Sequence, residues 1–319
     1  MIQLPILTQL LDTLFGTASP RTYARSRPPW RSHQVNLTTN GVETLRWRVG
    51  ISVAVLVQFG GGKRDKQYHY RPIKLPKPNG DKRQIYAPSD PLKALQRTVL
   101  HNYLQGLPLH DAATGFRQGY SVADNARRHL GQSCIATADI VDFFDNTAAY
   151  RVREFFQNQK WDKQASAILT GLCTFRGTLP QGAPTSPVLS NLVNIPLDKA
   201  LLVLARQSGA RYTRYGDDLT FSWASPQRMP RSMQREVQRV LLDFGYTLNR
   251  TKGWHVWQKG CGEPAYITGV ILGRDGQLHP TPDVNAKMRQ LRRAARDDEH
   301  AQAQLRGYEG FVRMLERER

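Results

Sequence analysis

The chain has 319 residues, of which 40% are hydrophobic and 22% are charged, so it can bury a large core and does not have the composition of a disordered protein. Lysine and arginine outnumber aspartate and glutamate by 45 to 26, which gives a formal net charge of +19. Basic side chains release counterions when they neutralise phosphates, so this charge favours nucleic acid as a partner over a membrane surface. A basic face that is merely solvated is the alternative.

The first part of the chain predicts an amphipathic helix over Met1–Phe15, which has leucines at helical spacing and lacks the basic start of a signal peptide. We therefore expect this helix to stay in the mature protein. A basic segment at 19–33 follows, as a nucleic-acid contact or a solvated linker. The longest apolar run, Val49–Phe59, is short of the roughly 20 residues that span a bilayer, so no membrane partner is expected. Three widely spaced cysteines favour a reducing, cytoplasmic location.

The next region predicts a strand-rich lobe. Glycines at 60–62 do not form a phosphate-binding loop, because Arg64 stands where that loop needs Ser or Thr. Residues 68–88 read as short strands joined by a turn at 78–80, and a helix is predicted over 91–105.

The second half mixes two patterns. Residues 133–223 alternate short β-branched or apolar runs with helices, which is typical of an α+β fold. From Asp283 onward, apolar residues at helical spacing are interleaved with arginines, which predicts basic helices at this end.

Two segments carry carboxylates in a pattern that suggests metal chemistry. Residues 215–218, Tyr-Gly-Asp-Asp, are flanked by strand formers and predict a hairpin with acids at its tip. Adjacent like charges repel, so this tip faces either a cation or bulk water. A second predicted strand, residues 135–139, ends in Asp139. If it lies beside the hairpin, three acids converge as ligands for Mg²⁺ in two-metal phosphoryl transfer.

Three motifs, in this order, resemble those of reverse transcriptases: D-x-x-x-F-F at 139–144, L-P-Q-G-A-P-T-S-P at 179–187 and Y-G-D-D at 215–218. The resemblance extends over residues 68–269. It implies an α+β right-hand polymerase that makes DNA on an RNA template. The implied parts are an N-terminal helical and basic extension at 1–65, fingers at 66–132, a palm at 133–255 with a finger insertion at about 150–190, and a connection with a basic helical thumb at 256–319.

The resemblance implies the catalytic residues. Asp139, Asp217 and Asp218 form the acidic triad and, with Ile140, the positions that bind two Mg²⁺ or Mn²⁺ ions. Asp142 and Asp145 do not match metal ligands and are expected to cap or solvate the following turn.

The resemblance also implies a deoxynucleotide site. Cationic finger residues would bind the triphosphate, a loop glutamine would contact the incoming nucleotide, an aromatic ring would exclude the 2′-hydroxyl, and a lysine would act near the pyrophosphate. The corresponding residues are Lys82, Arg83, Gln181, Gly182, Phe144 and Lys252. A plain turn at 181–182, a core ring at 144 and a surface lysine at 252 are the alternatives.

Two further elements resemble the retron branch of the family: Asn125-Ala126-Arg127-Arg128-His129 matches N-A-x-x-H, and residues 267–269, Ile-Thr-Gly, resemble V-T-G. Retron enzymes usually have alanine at the position of Gly216, so the match has departures. The resemblance implies a structured non-coding RNA as template and primer, a branched RNA–DNA hybrid product (msDNA), an effector protein and a role in anti-phage defence. The expected RNA-binding residues are Asn125, His129, Arg289, Arg292, Arg293 and Arg296, with a hydrogen-bonded structural histidine as the alternative at 129.

Other readings stay open. The chain could be a reverse transcriptase of the group II intron, diversity-generating or CRISPR-linked kind, or an inactive RNA-binding scaffold with a polymerase fold. An RNA-templated RNA polymerase could also use a Gly-Asp-Asp tip. The complete triad argues against the scaffold, and Phe144 favours deoxynucleotides over ribonucleotides.

Overall fold

The structure is a computed structural model that describes residues 41–52, 55, 59, 69–76, 82–296 and 298–317. The predicted N-terminal helix, the basic segment at 19–33, the glycines at 60–62 and the turn at 78–80 lie outside the described residues. Within the described ranges, no single helix has the length and apolarity to cross a bilayer, although one consecutive pair, Ser186–Val193 with Ile195–Gln207, meets those two criteria jointly.

The described residues form two compact units, here called the sheet unit and the helical unit. The sheet unit comprises 111–141 and 197–317, and the helical unit comprises the described residues of 41–110 and 142–196.

The elements mix helices with short strands, as an α+β chain should. In chain order they are α1 (Val42–Val49), β1 (Tyr70–Pro76), β2 (Lys82–Pro88), α2 (Asp90–Asn102), a 3₁₀ turn (Leu104–Gly106), α3 (Val122–Arg127), β3 (Cys134–Asp139), α4 (Ala149–Asn158), α5 (Lys163–Cys173), α6 (Ser186–Val193), α7 (Ile195–Gln207), β4 (Arg211–Tyr215), β5 (Asp218–Trp223), α8 (Arg231–Asp243), β6 (His255–Gln258), β7 (Ala265–Ile267), β8 (Val270–Leu272), β9 (Leu278–Pro280), α9 (Pro282–Ala294) and α10 (Glu299–Glu316).

The helical unit packs its helices around one apolar core, beside the antiparallel pair β1–β2. In α4 the buried residues are Arg151, Val152, Phe155 and Phe156, which is the one-sided spacing of an amphipathic helix. Asp162 caps α5 by accepting a hydrogen bond from the amide of Ala165.

The sheet unit contains a four-stranded antiparallel sheet in the order β4-β5-β3-β6. β3 is central, and its residues 134–136 and 138 are buried. β3 and β5 pair so that Asp139 lies opposite Asp218. The expectation that the strand ending at Asp139 lies beside the acidic hairpin is therefore confirmed.

The sheet unit also contains the antiparallel sheet β7-β8-β9 and the helices α3, α8, α9 and α10, together with α7 from residue 197 onward. The apolar positions predicted at helical spacing in α9, Val284, Met288 and Leu291, are all buried. The mixed helices and antiparallel sheets agree with the α+β class expected from the sequence.

Candidate active site

The turn between β4 and β5 presents the adjacent acids. Tyr215 pairs with Asp218, which leaves Gly216 and Asp217 as the loop of the hairpin. Gly216 has φ 64°, in the left-handed region that favours glycine, and a Cβ there would lie 3.2 Å from the ring of Phe116. A Cβ on Gly115 would lie 2.7 Å from the Gly216 nitrogen, so the backbone at 115 packs directly against the turn.

Backbone hydrogen bonds join the turn to the end of β3. The amide of Ile140 donates to the carbonyl of Asp217 over 2.9 Å, and the carbonyl of Asp139 accepts from the amide of Asn249 over 2.9 Å. The side chain of Ile140 is buried and apolar, so this residue could bind a cation only through its backbone carbonyl. The three acids of the predicted triad thus lie at one end of the sheet.

The acids are electrostatically coupled. Burial by itself raises the pKa of Asp139, but hydrogen bonds from Asp218 and Lys252 outweigh it and hold that pKa below its usual value. Burial, and then the charge of Asp217, raise the pKa of Asp218 well above the ordinary range. The two side chains hydrogen-bond each other, so the lowered pKa of Asp139 and the raised pKa of Asp218 belong to one interacting pair of acids.

This donor set fits a divalent cation by its chemistry. Carboxylate oxygens are the ligands that Mg²⁺ and Mn²⁺ prefer, and a cation would compensate the negative charge that these acids bring together. The residues that would hold it are Asp139, Asp217 and Asp218. Within the described ranges, no group of three or more His, Cys, Asp or Glu side chains has the ready-made spacing of a metal site.

Lys252 lies beside the acids. Its Nζ is 2.9 Å from Oδ2 of Asp139, and its side chain is 46% exposed. Burial lowers the pKa of Lys252, but the contact with Asp139 and the charges of Asp218 and Asp217 raise it overall. The lysine is therefore a protonated group that reaches both solvent and the triad.

Four of the residues predicted to bind the nucleotide lie on adjoining segments of the helical unit. Lys82 and Arg83 begin β2, and the amide of Tyr86 in the same strand donates to the carbonyl of Gln181 over 2.8 Å. Gly182 has φ 122°, and a Cβ there would lie 2.8 Å from the carbonyl oxygen of Tyr86. Only glycine lets the loop approach β2 this closely.

Phe144 is half-buried against the core of the helical unit, and its ring meets that of Phe143 edge-on at 5.6 Å. The side chain is thus partly a core aromatic and partly exposed. Asp142 and Asp145 lie in the same exposed turn, where the carbonyl of Asp142 accepts from the amide of Asn146.

The structure places Asn125 and His129 inside the protein. Both side chains are fully buried. Nδ1 of His129 lies 2.6 Å from the Ser222 hydroxyl and Nε2 lies 2.8 Å from the Thr213 hydroxyl. This placement argues against direct RNA contact by either side chain and agrees with the structural alternative for residue 129. The sequence alone suggests that these polar side chains are exposed, because their burial depends on strands more than 80 residues away.

Burial lowers the pKa of His129 to about 3, with further lowering by the charges of Arg211 and Arg128. The unfolded chain binds a proton at this residue below about pH 6.5, whereas the folded protein does not, so stability falls as the pH is lowered. We expect His129 to account for about 2 kcal/mol of unfolding free energy lost between pH 7 and pH 5.

Denaturant titrations at pH 7 and pH 5, for the wild type and His129→Gln, check this expectation. The variant should be less stable at pH 7 but lose less stability on acidification. An equal loss in both proteins would show that His129 is charged in the fold.

A buried ion pair that was not predicted from the sequence holds the hairpin. Nε and Nη2 of Arg214 donate to Asp198 of α7 over 2.8 and 2.7 Å, and Nη1 donates to the carbonyl of Gly216 over 3.0 Å. Tyr212 also donates to Asp198, over 2.9 Å. Arg214 and Asp198 are both fully buried. The available signal was one acid in the largely apolar helix Ile195–Gln207 and an arginine in a strand, three residues before Asp217.

The hairpin is held on both faces. Thr213 alternates with Tyr212 and Arg214 along β4, so its side chain projects to the opposite face. There it meets His129, whereas Tyr212 and Arg214 meet α7.

The predicted RNA-binding arginines, three in α9 and one just after its end, are all exposed. Nη2 of Arg292 lies 3.9 Å from Oε1 of Glu309 in α10, a loose and solvated ion pair. The exposed residues of this group are Arg289, Arg292, Arg293 and Arg296.

Comparisons with known proteins point to one family. A family model described as reverse transcriptase (RNA-dependent DNA polymerase) matches residues 75–262. The chain is 34% identical to the retron Mx162 reverse transcriptase of Myxococcus xanthus, with 87% of this chain and 64% of the relative covered. It is 32% identical to the retron Mx65 reverse transcriptase of the same organism, covering 90% and 69%. It is 37% identical to the retron Ec86 reverse transcriptase of Escherichia coli, covering 66% and 65%. The chain thus spans about two thirds of the length of these curated relatives.

Proposed function

Because this chain belongs to the reverse transcriptase family, in its retron branch, we propose that it synthesises DNA on an RNA template by nucleotidyl transfer. The observation that carries the proposal is the register that sets Asp139 opposite Asp218, with Lys252 2.9 Å from Asp139. The complete acid triad distinguishes this function from that of an inactive RNA-binding scaffold.

In this proposal Asp139, Asp217 and Asp218 hold divalent ions, which reverse transcriptases generally use. We propose two Mg²⁺ ions, with Mn²⁺ as a substitute. Bound there, the ions would lower the pKa of the attacking 3′-hydroxyl and neutralise the departing pyrophosphate. Lys252, which its neighbours keep protonated, would donate a proton to the leaving group.

Residues of β2 and of the 181–182 loop are the proposed contacts to the incoming deoxynucleotide. Arg83 and Lys82 would neutralise the triphosphate, with Arg83 able to bind two oxygens at once. The Gln181 side chain offers both a donor and an acceptor, and Gly182 permits close backbone approach. These assignments are supported by the contacts that join β2 to the 181–182 loop.

The proposed right-hand arrangement names residues 66–132 and about 150–190 as fingers, 133–255 as palm and 256–319 as connection and thumb.

We expect Phe144→Val to raise the use of ribonucleotides relative to deoxynucleotides by roughly 10- to 100-fold, because the smaller side chain leaves space for a 2′-hydroxyl. Single-nucleotide extension gives the ratio of kcat/KM for the matched dNTP and NTP. The neighbouring Phe143→Val is the control, since that ring is buried and its loss should lower Tm without changing sugar selectivity. Unchanged selectivity in Phe144→Val would leave residue 144 as a core aromatic only.

We further propose that the template and primer is a structured non-coding RNA and that the product is a branched RNA–DNA hybrid (msDNA). The exposed arginines of α9 suit the phosphates of an RNA stem, which proteins recognise largely by shape and 2′-hydroxyls. Membership of the retron branch supports this finer assignment. An effector protein, anti-phage defence and a cytoplasmic location complete the proposal.

Two experiments test the polymerase activity and the retron subtype separately. Extension of a primed RNA template by the purified protein, with Mg²⁺ and deoxynucleotides, tests the polymerase, and absence of product with every template and ion would refute it. Co-purification from cells followed by nuclease mapping tests the subtype. A product that loses its RNA to a debranching enzyme supports the retron assignment, and a linear product starting at a 3′ end would contradict it.

A further inference from the structure

Asn125 forms the centre of a hydrogen-bond chain that joins two distant parts of the sheet unit. Its Nδ2 donates to the hydroxyl of Thr268 over 3.3 Å, and its Oδ1 accepts from the hydroxyl of Thr114 over 2.8 Å. Thr268 lies in the turn between β7 and β8, and Thr114 lies beside β4. The two elements of the sequence that resemble retron motifs, N-A-x-x-H and Ile-Thr-Gly, therefore touch each other.

The chain continues to the acidic turn. Both the amide and the hydroxyl of Thr114 lie within hydrogen-bonding distance of the carbonyl of Arg214, at 2.9 and 3.1 Å. The guanidinium of Arg214 in turn donates to the carbonyl of Gly216. Gly115, the next residue after Thr114, packs against the Gly216 amide. A shift of Asn125 would thus be transmitted to the backbone at 214–216, on the β4 side of the turn.

The backbone conformation of Thr268 is strained, which suggests that the threonine hydroxyl has a functional role at this position. Thr268 has φ 46°, and a β-branched residue in the left-handed region costs of order 1–3 kcal/mol. Glycine would adopt this conformation without strain. A threonine at this position sacrifices stability, and its hydrogen bond to Asn125 is the interaction that glycine could not make.

We propose that Asn125 and Thr268 are positioning residues that brace the catalytic turn. They hold the β7–β8 turn and the acids at 217 and 218 in a fixed position relative to each other. Neither residue touches substrate in this role. They act through Thr114 and the backbone at 214–216. The inference rests on the proposed polymerase function, and it replaces direct RNA contact as the role of Asn125.

The decisive variant is Thr268→Gly, which removes the hydroxyl and the strain together. We expect kcat to fall about tenfold, the factor that corresponds to one lost hydrogen bond, while Tm does not fall and Kd for RNA stays within about twofold. Asn125→Asp keeps the acceptor for Thr114 and loses the donor, and should lower kcat similarly. Thr268→Ser retains the hydroxyl and should retain wild-type kcat.

The double variant Asn125→Asp with Thr268→Gly should be no slower than the slower single variant, because both remove one interaction. Wild-type kcat in Thr268→Gly would overturn the proposal, and so would weaker RNA binding at unchanged kcat. If the wild type makes no DNA, the proposed function fails instead. The positioning role of Asn125 and Thr268 can then still be tested by amide hydrogen exchange. It predicts that in Thr268→Gly the amide of Ile140, which donates to Asp217, exchanges faster than in the wild type.

Discussion

Replacing Asp217 by asparagine is expected to lower the rate of DNA synthesis by roughly 10³-fold or more, because the loop of the hairpin then offers one charged ligand fewer to the proposed divalent ions. The fold should persist. Asp217 lies in the turn and raises the pKa of Asp218 by repulsion, so removing its charge relieves an unfavourable interaction.

Single-turnover extension at saturating Mg²⁺ measures this loss, and RNA affinity and Tm measured in parallel should stay near wild type. Asp145→Asn is the matched control, since it removes an exposed carboxylate outside the triad and should keep wild-type rates. Activity within tenfold of wild type in Asp217→Asn would remove Asp217 from the catalytic set. A similar loss in Asp145→Asn would show that the assay responds to surface charge.

The second large effect is on stability. Asp198→Asn should lower the free energy of unfolding by about 3–5 kcal/mol, because Arg214 would be left as an uncompensated charge in a fully buried site. Burial lowers the pKa of Arg214, and in the wild type Asp198 outweighs this and raises it. In the variant the guanidinium still keeps its proton, because arginine is not deprotonated in proteins, so the penalty of the buried charge remains. Denaturant titration measures the loss.

A paired replacement separates the fold from the site. Asp198→Leu combined with Arg214→Met removes both charges and should recover most of the stability, since apolar side chains often substitute well for a buried pair. Its DNA synthesis should remain impaired, because Gly216 loses the guanidinium that holds its carbonyl. A loss below 1 kcal/mol in Asp198→Asn would show that water reaches the pair. Full activity in the double variant would show that the Gly216 contact is dispensable.

Local patterns were enough for several features. A strand that ends in an acid, and a hairpin signalled by strand formers around Tyr-Gly-Asp-Asp, are readable because strands and turns depend on nearby residues. The pairing that sets Asp139 opposite Asp218 then confirmed a hypothesis that rested on chemistry alone. The spacing of Val284, Met288 and Leu291 likewise predicted which face of α9 is buried.

Other features depended on contacts between distant segments. From the sequence alone, Asn125 and His129 would be expected to be accessible polar residues. Their partners Thr268, Thr213 and Ser222 lie 84 to 143 residues away along the chain. The partnership of Asp198 with Arg214 was equally invisible, because an acid in a helix is ordinarily solvated.

By itself, the sequence determined the chemistry of this protein: the acids, their order, the basic charge and the family to which they belong. The tertiary structure decided which polar side chains face inward, because burial follows from how strands and helices meet across the chain and not from the identity of neighbouring residues. A polar group removed from water must find a partner, and the partners at Asn125, His129 and Arg214 all support the turn that carries Asp217 and Asp218.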